Sequence, residues 1–411
     1  MNFEKIAIML AWILFTCFVA FMGTFYIQRE MAKGAQLANK YANMLKDEGF
    51  TGKRLIEGFS AATSYQEINS QPLVNFYIAS CYNSCCTGEF QNGYVDLKAL
   101  EAILNHGVRG IDLEIYMSLE NQPIIGAGVH PQINSKIACQ KHKYDSKGTY
   151  NHITVNEAFA LIKNLGFSGP PNSNDPLFLN LRIKSSGNKD GLYSTLADLI
   201  ERHFKGYLLG PSFASEGNDK LIGKNLAQTP LKYLKRKIII MVEDFCDDYK
   251  QNKRFYAFVN LSPTSSVSPK GKIRVETGFS VANTVSLSEF KKDNLRSLCM
   301  TYPLNNPENN MVDNSNWQSH HSYGCQFVFM NYSKLSEKSQ AGQRMKTYNQ
   351  KFRGKGKQII LKPKELMWGP REIPMPKPMN KPEEDPSVPQ KRCNEITGNV
   401  LKFKYINYLI N

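Results

Sequence analysis

The chain has 411 residues, 42% hydrophobic and 11% aromatic, and a formal net charge of +15. That length and apolar content can bury one large core with segments left over at each end, and 20 tyrosines with 23 phenylalanines exclude a chain disordered throughout. The positive excess, clustered at Lys232, Lys235, Arg236 and Lys237 and at Lys351, Arg353, Lys355 and Lys357, favours acidic surfaces or anionic lipid; without a nucleic-acid motif beside it, no nucleic acid is expected as a partner.

Residues 6–27 form an uncharged apolar run that, at 1.5 Å per residue, spans a hydrocarbon core of about 30 Å. A buried core helix would show a polar face and a cleaved signal would be shorter, so the run predicts an uncleaved, single-pass anchor in a lipid bilayer. Arg29, Lys33, Lys40 and Lys46 follow it, against Lys5 before it, a bias that keeps the large C-terminal part on the cytosolic side. Nine cysteines without framework spacing agree, reading as free thiols in a reducing compartment. Asn260 and Asn331 open Asn-x-Ser sequons of a kind that chance also produces.

Beyond the anchor, Met31, Leu37, Tyr41, Met44 and Leu45 recur at helical spacing and predict a short amphipathic stalk helix ending near Gly49. From about Pro72, strands at 74–79, 110–116, 123–125, 177–183 and 237–242 alternate with helices at 95–105, 155–165 and 192–203. Such alternation argues a parallel sheet with helices outside, either a β/α barrel or a doubly wound fold. Past Trp368 the chain is proline-rich and charged, then ends in an apolar segment, 401–410, suited to docking on its own barrel or on a partner's sheet. The expected organisation is an anchor at 1–30, a stalk and linker at 31–70, a first half-barrel at 71–245, a short linker at 246–253, a second half-barrel at 254–368 and a tail at 369–411.

The stretch Ala79-Ser80-Cys81-Tyr82-Asn83-Ser84-Cys85-Cys86-Thr87-Gly88 resembles the active-site loop of phosphoinositide-specific phospholipase C, written there Ser-Ser-His-Asn-Thr-Tyr-Leu-Thr-Gly. Asn83, Thr87 and Gly88 match, and Tyr82 stands where the histidine would be. Further blocks follow in the family's order: Gly110 to Glu114, Pro123 to Ile125, Leu177 to Arg182, Thr229 to Ile240, Ser286 to Glu289, Tyr302-Pro303, Gly324 to Asn331 and Ile359 to Pro363. The resemblance covers both halves of that family's catalytic barrel and implies a distorted TIM-type β/α barrel with its site at the C-terminal strand ends.

It also implies what the site has lost. The family cleaves its phosphodiester with two histidines and a calcium ion, which move protons and offset charge on the phosphorane. Tyr82 takes the first histidine position and Ala127 the second, with His130 close by but out of register. Of the calcium-site positions, Asn83, Asp112 and Glu114 keep oxygens while Arg182 replaces a glutamate, so no metal and no other cofactor is expected. Metal-independent bacterial relatives are similar in placing an arginine near this point. The ring-phosphate positions fall on Met241, Glu243 and Met300, with Ser286 and Tyr302 retained. The expected function is therefore a catalytically inactive phospholipase C-like barrel, membrane-anchored and used as a structural or interaction module. Its expected protein partners are reached through the tail and the basic surface. Anchored barrels with this altered loop resemble proteins of large DNA viruses, which would make it a minor capsid component linking a virion's inner membrane to capsid proteins. The competing readings are an active, metal-independent phosphodiesterase using Arg182 with Tyr82 or His130, and a non-catalytic binder using the vestigial pocket.

Overall fold

The computed structural model describes residues 3–47, 65–88, 90, 92–129, 147–168, 172–184, 189–209, 213, 226–244, 247–262, 273–277, 291–292, 294–306, 311–314, 316–353 and 357–369. His130, Ser286 and the tail from Pro370 lie outside them.

Seven parallel strands form the barrel: β1 (Phe76–Cys81), β2 (Gly110–Met117), β5 (Leu177–Ile183), β6 (Ile238–Glu243), β7 (Ile273–Thr277), β8 (Leu298–Tyr302) and β9 (Phe327–Met330). Their order is β6–β5–β2–β1–β9–β8–β7. A parallel bridge from Met241 to Leu261 stands in the place of an eighth strand, between β6 and β7. Two antiparallel pieces join the wall. β3 (Pro123–Gly126) folds back on β2 and pairs with β4 (Ile153–Thr154), and β10 (Ile359–Leu361) lies against β1. Strands buried on both faces read as largely apolar runs, and β1, β5, β6 and β9 have every position buried, with Ser80, Asn180, Arg182 and Glu243 as the polar exceptions. Gly110 is required where β2 meets β1: a Cβ there would sit 2.3 Å from Ser80 Oγ.

The outer helices include α2 (Leu97–Asn105), α3 (Val155–Leu165), α4 (Asp190–Phe204) and α5 (Gln340–Arg353). Asp96 caps α2 by accepting from the Lys98 amide, and Thr154 and Glu157 form a capping box on α3. Ala99, Leu100, Ile103 and Leu104 form the buried stripe of α2. The strand and helix positions expected from sequence agree with these bounds to within about two residues.

Two expectations change. The anchor and stalk are one uninterrupted helix, α1 (Phe3–Asp47), long and apolar enough at its start to cross a membrane. Its second part is not a free stalk. Gly34, Ala38, Tyr41 and Leu45 face the barrel, while Met31 is 70% exposed and Leu37 40% exposed. Close helix approach selects the small residues Gly34 and Ala38, so counting only large apolar side chains picks the wrong stripe. The stretch expected as a linker, 246–253, is also part of the packed body from Asp247 onward, because Tyr249 and, just beyond, Phe255 are wholly buried.

Helix 317–322 and the end of α5 pack on the outside of β1, with His321 stacked on Tyr77 at 4.0 Å. Burial lowers His320 to about 4, and burial with Lys351 and His320 nearby puts His321 well below its usual value. Between about 4 and 6.5 the unfolded chain then holds a proton on His320 that the folded chain lacks. Stability is expected to fall by roughly 3 kcal/mol as pH drops through that window. Urea midpoints measured across it check this, and a His320→Gln variant should show a flatter profile.

Candidate functional site

Alternate residues of a strand point to the same side, and at the C-terminal ends of the strands that side is the barrel interior. There β2 places Asp112 and Glu114, β5 places Asn180 and Arg182, β6 places Met241 and Glu243, and β8 places Met300 and Tyr302. The register sets Asp112 beside Asn180 and Glu114 beside Arg182, then Asn180 beside Met241 and Arg182 beside Glu243. The loop after β1 adds Tyr82 and Asn83, the latter with a positive φ of 44°.

Arg182 is the hub of this cluster. Its Nε donates to Asp112 Oδ1 and its Nη2 to Asp112 Oδ2, each at 2.8 Å, and Nη2 lies 3.0 Å from Glu114 Oε2. Nη2 also donates to Asn83 Oδ1. The guanidinium carbon lies 4.3 Å from the centroid of the Tyr82 ring and 5.7 Å from that of Tyr302. Arg182, Asp112, Glu114, Asn83 and Tyr82 are all buried. Burial alone would lower the Arg182 pKa, but Asp112, Tyr82 and Glu114 hold it well above the usual value, so it stays charged. Burial raises the Asp112 carboxyl against the opposing pull of Arg182. The Tyr82 hydroxyl is pushed far up by burial, with the Arg182 charge opposing. It is no base at neutral pH.

Several partners escaped the sequence reading. Asn180 Nδ2 donates to Asp112 Oδ1 at 2.8 Å and to the Tyr302 hydroxyl at 2.9 Å. Tyr116 donates to Glu114 Oε1, and Lys184 pairs with Glu243 at 3.4 Å. Asn180 and Lys184 flank Arg182 at i−2 and i+2, so strand alternation alone could have found them. Met241 and Met300 are buried in the same interior. Ala127 lies apart from the Arg182 contacts, its amide accepted by Thr149 Oγ1 at 3.3 Å. None of the described contacts of Arg182, Asp112 or Tyr82 is with a histidine.

The calcium ion implied by the resemblance does not fit these residues. A divalent cation needs six or more oxygens turned toward one point. Here Asn83 Oδ1, Asp112 and Glu114 converge on a guanidinium that occupies that point. Among the described residues no group of three or more metal-ligating side chains is gathered elsewhere. Above Arg182 the mouth is roofed by aromatic rings, with Tyr82 5.5 Å from Phe90 and 5.6 Å from Tyr302. A groove of about 630 Å³ lies elsewhere, on the barrel's flank between α1 and Leu335–Ser336.

Residues 69–244 match the family model described as phosphatidylinositol-specific phospholipase C, X domain. The crystal structure of PLC21 from S. officinalis is similar with a TM-score of 0.53 at 19% identity, covering 72% of this chain and 37% of that one. PLC21 from L. pealei gives a TM-score of 0.52 at 18% identity over 72% and 37% of the two chains. The chain thus spans little more than a third of those proteins, and at these identities the likeness is one of fold. The matched family model ends at residue 244, whereas barrel strands continue to Met330. No curated protein matches the chain.

Proposed function

We propose, from the match of residues 69–244 to the X domain of phosphatidylinositol-specific phospholipase C, that this barrel has lost that family's reaction and serves as a membrane-anchored structural or interaction module. The observation that carries the reading is the Arg182 cluster. Cleavage needs a base for the ring hydroxyl and an acid for the leaving group. At the two positions the resemblance assigns to them stand Tyr82, whose proton burial retains, and Ala127, which has none. The positive charge that would meet the phosphorane is spent instead on Asp112 and Glu114 inside the barrel. Ring-phosphate recognition is weakened separately, because Met241 and Met300 are neutral and Glu243 would repel an anion.

In its finer form the proposal places the protein in a virion, with α1 in an inner membrane and the segment 369–411 reaching capsid proteins. Anchor, body and tail then each have a use. The orientation proposed with it puts the barrel on the cytosolic side of its membrane of origin.

The test is release of water-soluble inositol phosphates from phosphatidylinositol and its phosphorylated forms by the full-length protein, with calcium or with chelator. No release above a protein-free blank is expected in either case. Release that persists in chelator and is lost in Arg182→Lys would overturn the reading in favour of a metal-independent phosphodiesterase.

A further inference from the structure

α1 runs alongside α2 in the same direction, and three contacts fix their register. The Tyr94 hydroxyl donates to Glu30, Lys98 Nζ donates to Asn39 Oδ1 at 3.0 Å, and His106 Nδ1 lies 3.3 Å from the Leu45 carbonyl. Gly34 makes the approach possible, since a Cβ there would meet the Tyr94 ring at 2.9 Å. A helix that follows a barrel strand runs from the mouth, at the C-terminal strand ends, back to the opposite end. α2 follows β1 and does this, so α1 also runs from the mouth to the far end. Its N-terminal part, residues 3–29, must therefore project beyond the mouth, by about 40 Å. Every described residue from Ile8 to Arg29 is exposed. Glu30, the first residue held by the barrel, lies about 4.5 Å along the helix from Ile27, where the apolar run ends.

We propose that α1 is a rigid strut holding the mouth end of the barrel against the surface of the bilayer it crosses. The inference rests on reading residues 6–27 as a membrane anchor and goes beyond it by fixing which face meets lipid. Two further features of the mouth suit the interface. Tyr94 packs on Tyr150 at 5.5 Å between ring centroids, and Tyr150 is 61% exposed at the level where aromatic side chains sit among headgroups. Leu119, at the tip of the β2–β3 turn on the same end, is fully exposed. The basic cluster around Lys232 and Arg236 lies just before β6, at the opposite end, and so faces away from this membrane.

Depth-dependent quenching tests the orientation. Leu119→Cys and Tyr233→Cys, both at exposed positions, are made in a full-length chain with Cys17, Cys139, Cys246 and Cys393 changed to serine. They are labelled with a small fluorophore and reconstituted into phosphatidylcholine vesicles containing a headgroup nitroxide lipid. Emission at position 119 should fall by about half or more while that at position 233 stays unquenched. A flexible Gly/Ser insertion of about 20 residues after Gln28 should abolish the quenching at 119, because it frees the barrel while leaving the docked part of α1 intact. Protein that washes off the vesicles overturns the anchor itself. Retained protein with position 119 unquenched, or position 233 quenched as much, overturns the orientation alone. Quenching that survives the insertion overturns the strut as its cause.

Discussion

Replacing Arg182 by leucine is expected to lower the stability of the barrel by about 3–5 kcal/mol, the largest effect of any single substitution in its interior. The wild-type guanidinium satisfies Asp112 through both carboxylate oxygens, and it also reaches Glu114 and Asn83. Leucine leaves two wholly buried acids on the same face of β2 without that cation, and each must then take up a proton or drag in water. Thermal unfolding of the two proteins at neutral pH measures the loss. Adding Asp112→Asn and Glu114→Gln to Arg182→Leu should recover part of it, because a buried charge left unpaired costs more than no charge at all. Calcium supplies a second readout. In wild type the oxygens are already turned onto the guanidinium, so millimolar calcium should leave the melting temperature unchanged. In Arg182→Leu the same oxygens face an open centre and calcium should raise it. A calcium shift of similar size in wild type would show that Arg182 does not hold the donor set.

The reasons some of this was legible in the sequence and some was not are physical. The strands were readable because a barrel wall buried on both faces leaves runs such as Ile238 to Val242 with no polar residue to obscure them. Arg182, Asp112 and Glu114 were readable as a set through the resemblance, which puts all three at one calcium site, and a guanidinium among carboxylates there has the acids as its partners. Asn180 and Lys184 were missed because each is polar without being diagnostic, and only the two-residue period of β5 shows that they share Arg182's face. The eighth barrel position left no strand-like run, and its trace is the single bridge at Leu261. The seat of α1 was hidden for another reason. Gly34 and Ala38 mark a close approach rather than an apolar stripe, and composition gives such residues no weight.

That seat carries the second large effect. Removing residues 1–28 is expected to leave the barrel's stability unchanged, since every described side chain removed is exposed. Removing residues 1–47 should cost about 4–6 kcal/mol. Ala38, Tyr41 and Leu45 are each at most 4% exposed, and burial of side chains of this size contributes about 1–3 kcal/mol apiece. The longer cut also takes the Leu45 carbonyl from beside His106 and the Glu30 carboxylate from the Tyr94 hydroxyl, leaving polar groups on the flank of α2 to be satisfied by water. Thiol chemistry gives an independent readout. Cys81 and Cys86, buried thiols outside any disulfide whose environment includes Tyr41, should stay unreactive toward a thiol reagent in the shorter truncation and react in the longer one. Equal stability and equal thiol protection in both truncations would mean that the second part of α1 contributes nothing to the fold. A helix that contributed nothing could not fix the mouth against a membrane, whereas a helix whose loss opens the core is stiffly joined to the barrel at one end and long enough to cross the bilayer at the other.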